Sequence, residues 1–105
     1  MAAQRGEVWL VDLGLAAKVR PALVISVPYH DDERALFSII PHTTSLRATR
    51  FEVALDVRGL QRGAFDVQGI RPIPPTVLLR RMASLTPEQM KQIEDGVRRW
   101  FGMGG

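Results

Sequence analysis

Apolar residues in this chain change their spacing once. Through about residue 80 they come in short, β-branched runs broken by clusters of Gly, Pro and Asp, the pattern of strands joined by turns. The first run is Glu7-Val8-Trp9-Leu10-Val11-Asp12-Leu13, and it leads into a turn over Gly14 to Lys18. Ala22-Leu23-Val24-Ile25-Ser26-Val27, set between Pro21 and Pro28, predicts a strand buried on both faces. A polar loop, His30 to Arg34, precedes the run Ala35 to Pro41. In Phe51 to Val57 the residues Phe51, Val53, Leu55 and Val57 recur with period two, which predicts one core-facing and one wet face. Gly63 to Gln68 and Thr76 to Arg80 are weaker strand candidates. Between them, Arg71-Pro72-Ile73-Pro74-Pro75 cannot be the middle of a ladder, because proline donates no backbone hydrogen bond.

After residue 85 the period lengthens. Thr86-Pro87-Glu88-Gln89 combines a capping threonine, proline at the first helical position and glutamine three residues after the cap, so a helix is predicted to start there. Met90, Ile93, Val97, Trp100 and Phe101 then share one stripe, expected to face the core. Arg98 and Arg99 suit the negative end of the helix, and Gly102 can stop it. Several short strands followed by one helix predict a mainly β (α+β) fold: a small, strongly bent sheet or barrel capped by a C-terminal helix. At 105 residues, one domain over positions 1–105 is expected.

Composition narrows the chemistry. With 46% apolar and 24% charged residues the chain suits a soluble fold, and with no cysteine and only His30 and His42 it offers neither disulfides nor a histidine or thiolate metal site. No metal or other cofactor is expected. The N-terminus lacks the apolar core of a signal peptide, and no run approaches the roughly 20 apolar residues that span a bilayer, so a cytoplasmic location without membrane contact is expected. The net charge of +3 is unevenly placed. Residues 1–46 carry four basic and five acidic side chains, residues 47–105 ten and six. Twelve of the fourteen basic residues are arginine, which grips phosphate in a bidentate fork and stacks on bases and so suits a polyanionic partner, although composition alone favours the plainer reading of a solvated, arginine-rich face.

No glycine-rich phosphate loop, Gly-x-Ser-x-Gly elbow, His-Glu-x-x-His or calcium loop is present. What the chain does contain is an ordered set of segments: Arg5-Gly6-Glu7-Val8-Trp9-Leu10-Val11-Asp12-Leu13, then Val19-Arg20-Pro21-Ala22-Leu23-Val24-Ile25-Ser26, then Pro41-His42-Thr43-Thr44-Ser45. They are followed by Val67-Gln68-Gly69-Ile70-Arg71 and Leu85-Thr86-Pro87-Glu88-Gln89-Met90. In this order and spacing they resemble the MazF/PemK (Kid) family of type II toxin-antitoxin endoribonuclease toxins over nearly the whole chain. The resemblance implies a twisted SH3-like (CcdB-like) small barrel with a C-terminal helix and a homodimer. It also implies metal-independent, sequence-selective cleavage of single-stranded RNA, and an antitoxin partner that covers the RNA groove. By the same resemblance the catalytic pair is Arg20 and Thr43, with Thr44 in place of the family's serine.

Attack of a ribose 2′-hydroxyl on its phosphate needs a base, a donor for the charge on the phosphoryl oxygens and an acid for the departing 5′ oxygen. Arginine stays protonated, so Arg20 fits the charge-stabilising role, and Thr43 can donate to the same oxygens. The alternative for Arg20 is an ion pair with Asp12 or Asp32; for Thr43 and Thr44 it is turn formation. The first loop is shorter than in many members, and Gln68 and Gly69 stand where some carry an acidic residue and glutamine. Asp66 and His42 are therefore the alternative bases, although strand alternation turns His42 away from the face of Thr43. Glu7 is a candidate for orienting an arginine, Gln68 and Arg71 for supporting RNA contact. Trp9, Trp100 and Phe101 suit core or dimer contacts better than base stacking. Two other functions share the same fold: a non-catalytic toxin that binds a protein such as DNA gyrase, kept open by Trp100-Phe101, and a silent RNA-binding regulator.

Overall fold

The computed structural model describes residues 3–14, 16 and 18–104. Leu15 and Ala17, inside the expected first turn, lie outside the described residues. Among the described residues the chain forms seven strands, β1 (Glu7–Asp12), β2 (Val19–Val24), β3 (Phe37–Thr43), β4 (Glu52–Ala54), β5 (Ala64–Asp66), β6 (Arg71–Ile73) and β7 (Leu78–Ser84), followed by α1 (Pro87–Phe101). All pairings are antiparallel, in the order β4-β5-β3-β2-β1-β7. The path ends at β4 and β7 without closing, so the expected barrel is realised as an open, twisted sheet. Two register shifts along β1–β7 bend it. β3 is long enough to hold two partners on one edge, β6 against its first half and β5 against its last two residues.

Because β1, β2 and β3 are apolar on both faces, they divide two cores. Trp9, Val11, Ala22, Val24, Phe37 and Ile39 pack on one side with Ile73 and Leu78; Val8, Leu23 and Ile40 pack on the other with Phe65, Val67 and Ile93. The second core lies beneath α1. The helix starts with the full capping box: Thr86 accepts from the Gln89 N–H at 3.1 Å, and the Gln89 side chain accepts from the Thr86 N–H at 2.9 Å. It stops at Gly102, whose φ of 68° is left-handed.

Several boundaries differ from those the sequence predicts, each for a local reason. β2 begins at Val19, three residues before the apolar run, so Pro21 lies inside it, opposite Leu10 of β1. Only Glu52–Ala54 of the fourth run is laddered, yet Phe51, Leu55 and Val57 are buried, so alternation outlasts the hydrogen bonds. The expected strand to Gln68 stops at Asp66, whose carboxylate accepts from the Gln68 N–H and caps a 3-10 turn over Val67–Gly69. Thr76 likewise lies in a 3-10 turn, and β7 runs on to Ser84. Arg71–Ile73 does pair, but only as an edge, where Pro72 is tolerated. On α1, Ile93 is buried and Met90 and Val97 border the core, whereas Trp100 and Phe101 are 39% and 54% exposed: the stripe outruns the sheet beneath it.

Candidate active site

The register between β2 and β3 decides where the site forms. Paired residues run Val24↔Ile39, Leu23↔Ile40, Ala22↔Pro41 and stop. Two steps further would set Arg20 opposite Thr43. Neither Pro21 nor Pro41 has a backbone N–H, so the ladder fails there and the strands part. Arg20, held on its other side by pairing with Val11, and Thr43, held by pairing with Ala64, both line the cleft that opens there.

The cleft has a volume of about 460 Å³. Its lining includes Arg20, Thr43, Thr44 and Ser45, Gly59, Leu60 and Gln61 of the β4–β5 loop, and Leu10, Lys18, Met82 and His42. A second depression of about 290 Å³ shares Arg20, Thr43 and Ser45 and adds Asp66, Glu52 and Arg47. Arg20 and Thr43 thus stand where two hollows meet, with His42 in one and Asp66 in the other. The Thr43 hydroxyl shapes its own turn, accepting from the Ser45 N–H at 3.0 Å and donating to the Ser45 carbonyl at 3.3 Å. Turn formation and a place on the cleft wall are both realised, and the long donated bond is the one a ligand oxygen can replace.

His42 is 4% exposed, packed edge-on against Phe65 at 4.9 Å between ring centres, and its Nε2 has no hydrogen-bond partner among the described residues. Burial lowers its pKa, keeping the ring neutral. Asp66 is only partly buried. Glu52, paired with Asp66 across β4–β5, accepts from the Arg47 and Ala48 N–H groups and so holds the loop that carries Arg47 beside Arg20. Sequence reading missed Glu52, which looked like an outward residue of an alternating strand; its only signal was that wet face. Gln61 was missed too, since a glutamine in a loop carries no motif.

The other candidates lie elsewhere. Burial raises the Glu7 carboxyl, but hydrogen bonds from the Trp9 indole (3.0 Å), the Gln4 N–H (2.8 Å) and Arg81 (3.1 Å) outweigh it and hold the pKa low. Glu7 therefore ties β1 to β7 and does not line either hollow with Arg20. Arg71 borders a separate depression with Asp12, Leu13 and Gly14, and its Nε donates to the Gly69 carbonyl at 3.3 Å. Gln68 is exposed on the 3-10 turn and outside both hollows. Thr44 is exposed at the cleft; His30 is exposed beside Glu33. Among the described residues no three His, Cys, Asp or Glu side chains gather as metal ligands would, and no helix is long and apolar enough to cross a membrane.

This architecture is that of solved MazF structures. A mycobacterial endoribonuclease, solved with its cognate antitoxin, superposes with a TM-score of 0.84 at 23% identity, covering 99% of each chain. The Mycobacterium tuberculosis toxin MazF-mt6 gives 0.80 at 22% identity over 94% of this chain and 99% of its own. MazF of the Deinococcus radiodurans MazE-MazF complex gives 0.81 at 18% over 99% of both. At such identities the likeness speaks for the fold. The family model of the PemK-like, MazF-like toxins of type II toxin-antitoxin systems matches residues 4–101, and the chain belongs to that family.

Proposed function

We propose that the chain is a toxin that cuts single-stranded RNA by the 2′-hydroxyl route, without a metal, with the scissile phosphate seated between Arg20 and Thr43. The observation that carries this reading is their position at the junction of two hollows where β2 and β3 part. The 2′ oxygen bonds to phosphorus as its proton leaves to a base. The P–O5′ bond breaks, and the 5′ oxygen takes up a proton, giving a 2′,3′-cyclic phosphate and a 5′-hydroxyl. Charge grows on the phosphoryl oxygens during this step. The Arg20 guanidinium supplies fixed donors to them, joined by the Thr43 hydroxyl; one preorganised donor of this kind is worth about 10²–10³ in rate.

For the base, Asp66 fits better than His42. Asp66 lies in the hollow with Arg20 and Thr43, and one of its oxygens accepts the Gln68 N–H at 3.2 Å while the other has no hydrogen-bond donor among the described residues. The His42 Nε2 is buried beneath the chain at Gly63, out of reach of a ribose. Thr44 supports the phosphate from the rim, and Gln68 and Arg71 act outside the reacting centre. The relatives solved as antitoxin complexes support a cognate antitoxin for this chain, and its membership of the toxin family supports reading it as a homodimer that works in the cytoplasm. The test is incubation with single-stranded RNA in excess chelator: 5′-hydroxyl fragments are expected from the wild-type chain and none from Arg20→Ala. Cutting that requires magnesium refutes the mechanism.

One observation favours a second reading, a toxin that acts by binding a protein such as DNA gyrase. Trp100 and Phe101 stand exposed at the end of α1, Trp100 edge-on to Phe51 at 5.0 Å. Gyrase-dependent DNA breaks without RNA loss in cells expressing the chain would select it.

A further inference from the structure

The cleft beside Arg20 is larger than a phosphate needs. At about 460 Å³ it falls within the range of pockets that enclose small ligands, and its lining separates by chemistry. Among the described residues it carries the cations Arg20 and Lys18 and no carboxylate, which suits a phosphodiester. Leu10, Leu60 and Met82 add apolar surface, and Gln61 is the one side-chain amide among the described lining residues.

The loop that carries Gln61 is pinned on both sides of it. Gly59, with a φ of +95°, lies so close to β7 that a Cβ there would stand 3.3 Å from the Met82 carbonyl oxygen. Gly63 lies against β3, where a Cβ would stand 2.2 Å from the Thr43 carbonyl oxygen. Within the loop the Leu60 N–H donates to the Val57 carbonyl at 3.0 Å. Gln61 is thereby presented from a fixed backbone; it is exposed, and its amide has no partner among the described residues.

We propose that this cleft takes the nucleobase adjoining the scissile phosphate and that the Gln61 amide reads it. The base lies on the apolar surface of Leu10, Leu60 and Met82. The amide's adjacent donor and acceptor pair with one edge of it, the way unstacked bases of single-stranded RNA are read. The inference rests on the RNA-cleaving reading above, and its test separates the two.

A pool of single-stranded RNA randomised in sequence is cut with wild-type, Gln61→Ala and Gln61→Glu chains, and the fragment ends are sequenced. Wild-type cuts are expected to share one base at a position next to the break. Gln61→Ala should lower cutting at that base by about 5- to 150-fold, the worth of one well-paired base contact, with little change at the other three bases. Gln61→Glu, which keeps the shape but loses the donors, should lose the same preference. An unchanged end profile in both variants overturns the proposal. In parallel, binding is measured to short RNAs that carry a 2′-deoxy sugar at the cut site and differ only in that base. If the wild-type chain cuts nothing, the cleavage reading fails and the binding arm decides for Gln61. Base discrimination lost in Gln61→Ala upholds its role, and discrimination absent from wild type or unchanged in the variant overturns it.

Discussion

Gly63→Ala tests how the cleft is built. Gly63 does not lie in the left-handed region, so its glycine is required by space: a Cβ would stand 2.2 Å from the Thr43 carbonyl oxygen and 2.8 Å from His42 Cε1. The first of these is backbone of β3, which cannot swing aside as a side chain would. Overpacking costs about 1–3 kcal/mol, and contact with a paired strand belongs at the upper end. The reduced entropy of the unfolded alanine chain returns about 0.4–1 kcal/mol. The net loss is then roughly 2 kcal/mol, a fall of about 10 °C in melting temperature for a domain of this size. Gly14→Ala is the control. Gly14 has a φ of +95° with nothing within 4 Å of a Cβ, so only the conformational cost of about 1–2 kcal/mol applies, less the same entropic return. Thermal and urea unfolding of both variants measure the difference. Gly63→Ala should be the less stable of the two, and its cleavage should fall as the loop lifts from Thr43. A Gly63→Ala chain as stable as wild type, or more stable than Gly14→Ala, refutes the tight packing of this loop on β3.

His42 makes stability depend on pH. Its pKa is lowered in the fold by burial, so the unfolded chain binds the proton first; the contribution is full above about pH 6.5 and declines as pH falls from there through the folded value. Urea midpoints between pH 8 and pH 5 should therefore drop more steeply for wild type than for His42→Leu, and equal slopes would refute the assignment. Glu7→Ala removes one carboxylate from three donors and leaves the N–H of the buried Trp9 without its partner, which should cost about 2–3 kcal/mol in urea unfolding at neutral pH. Its carboxyl pKa is lowered in the fold, so the difference between wild type and variant should shrink as pH falls below the ordinary glutamate value near 4.3.

The legible parts of the fold are those written locally. Thr86, Pro87 and Gln89 are a capping box in sequence and in space, and the period-two burial of Phe51, Leu55 and Val57 follows from alternation alone. What sequence spacing could not reveal depends on partners far along the chain. Pro21 reads as a strand boundary but sits within β2: it ends the ladder to β3 only, while its pairing with Leu10 of β1 carries the strand on to Val19. Trp100 and Phe101 continue an apolar stripe with no sheet left beneath them. In the site, Arg20 and Thr43 are separated by 23 positions and meet only through the β2–β3 register, so they were reachable by resemblance and not by pattern. Glu52 and Gln61 belong to the same two hollows, brought there by the β4–β5 pairing and by two glycines that let the loop approach its neighbours.

The central claim is that Arg20, at the point where β2 and β3 part, stabilises charge on the scissile phosphate. The most direct measurement is the single-turnover rate of cleavage of one defined single-stranded RNA in excess chelator by wild-type and Arg20→Ala chains of matched stability. The account predicts a fall of at least about 10²-fold in Arg20→Ala, with 5′-hydroxyl ends from the wild type. A rate within about threefold of wild type, which is less than 1 kcal/mol of transition-state stabilisation, would contradict it.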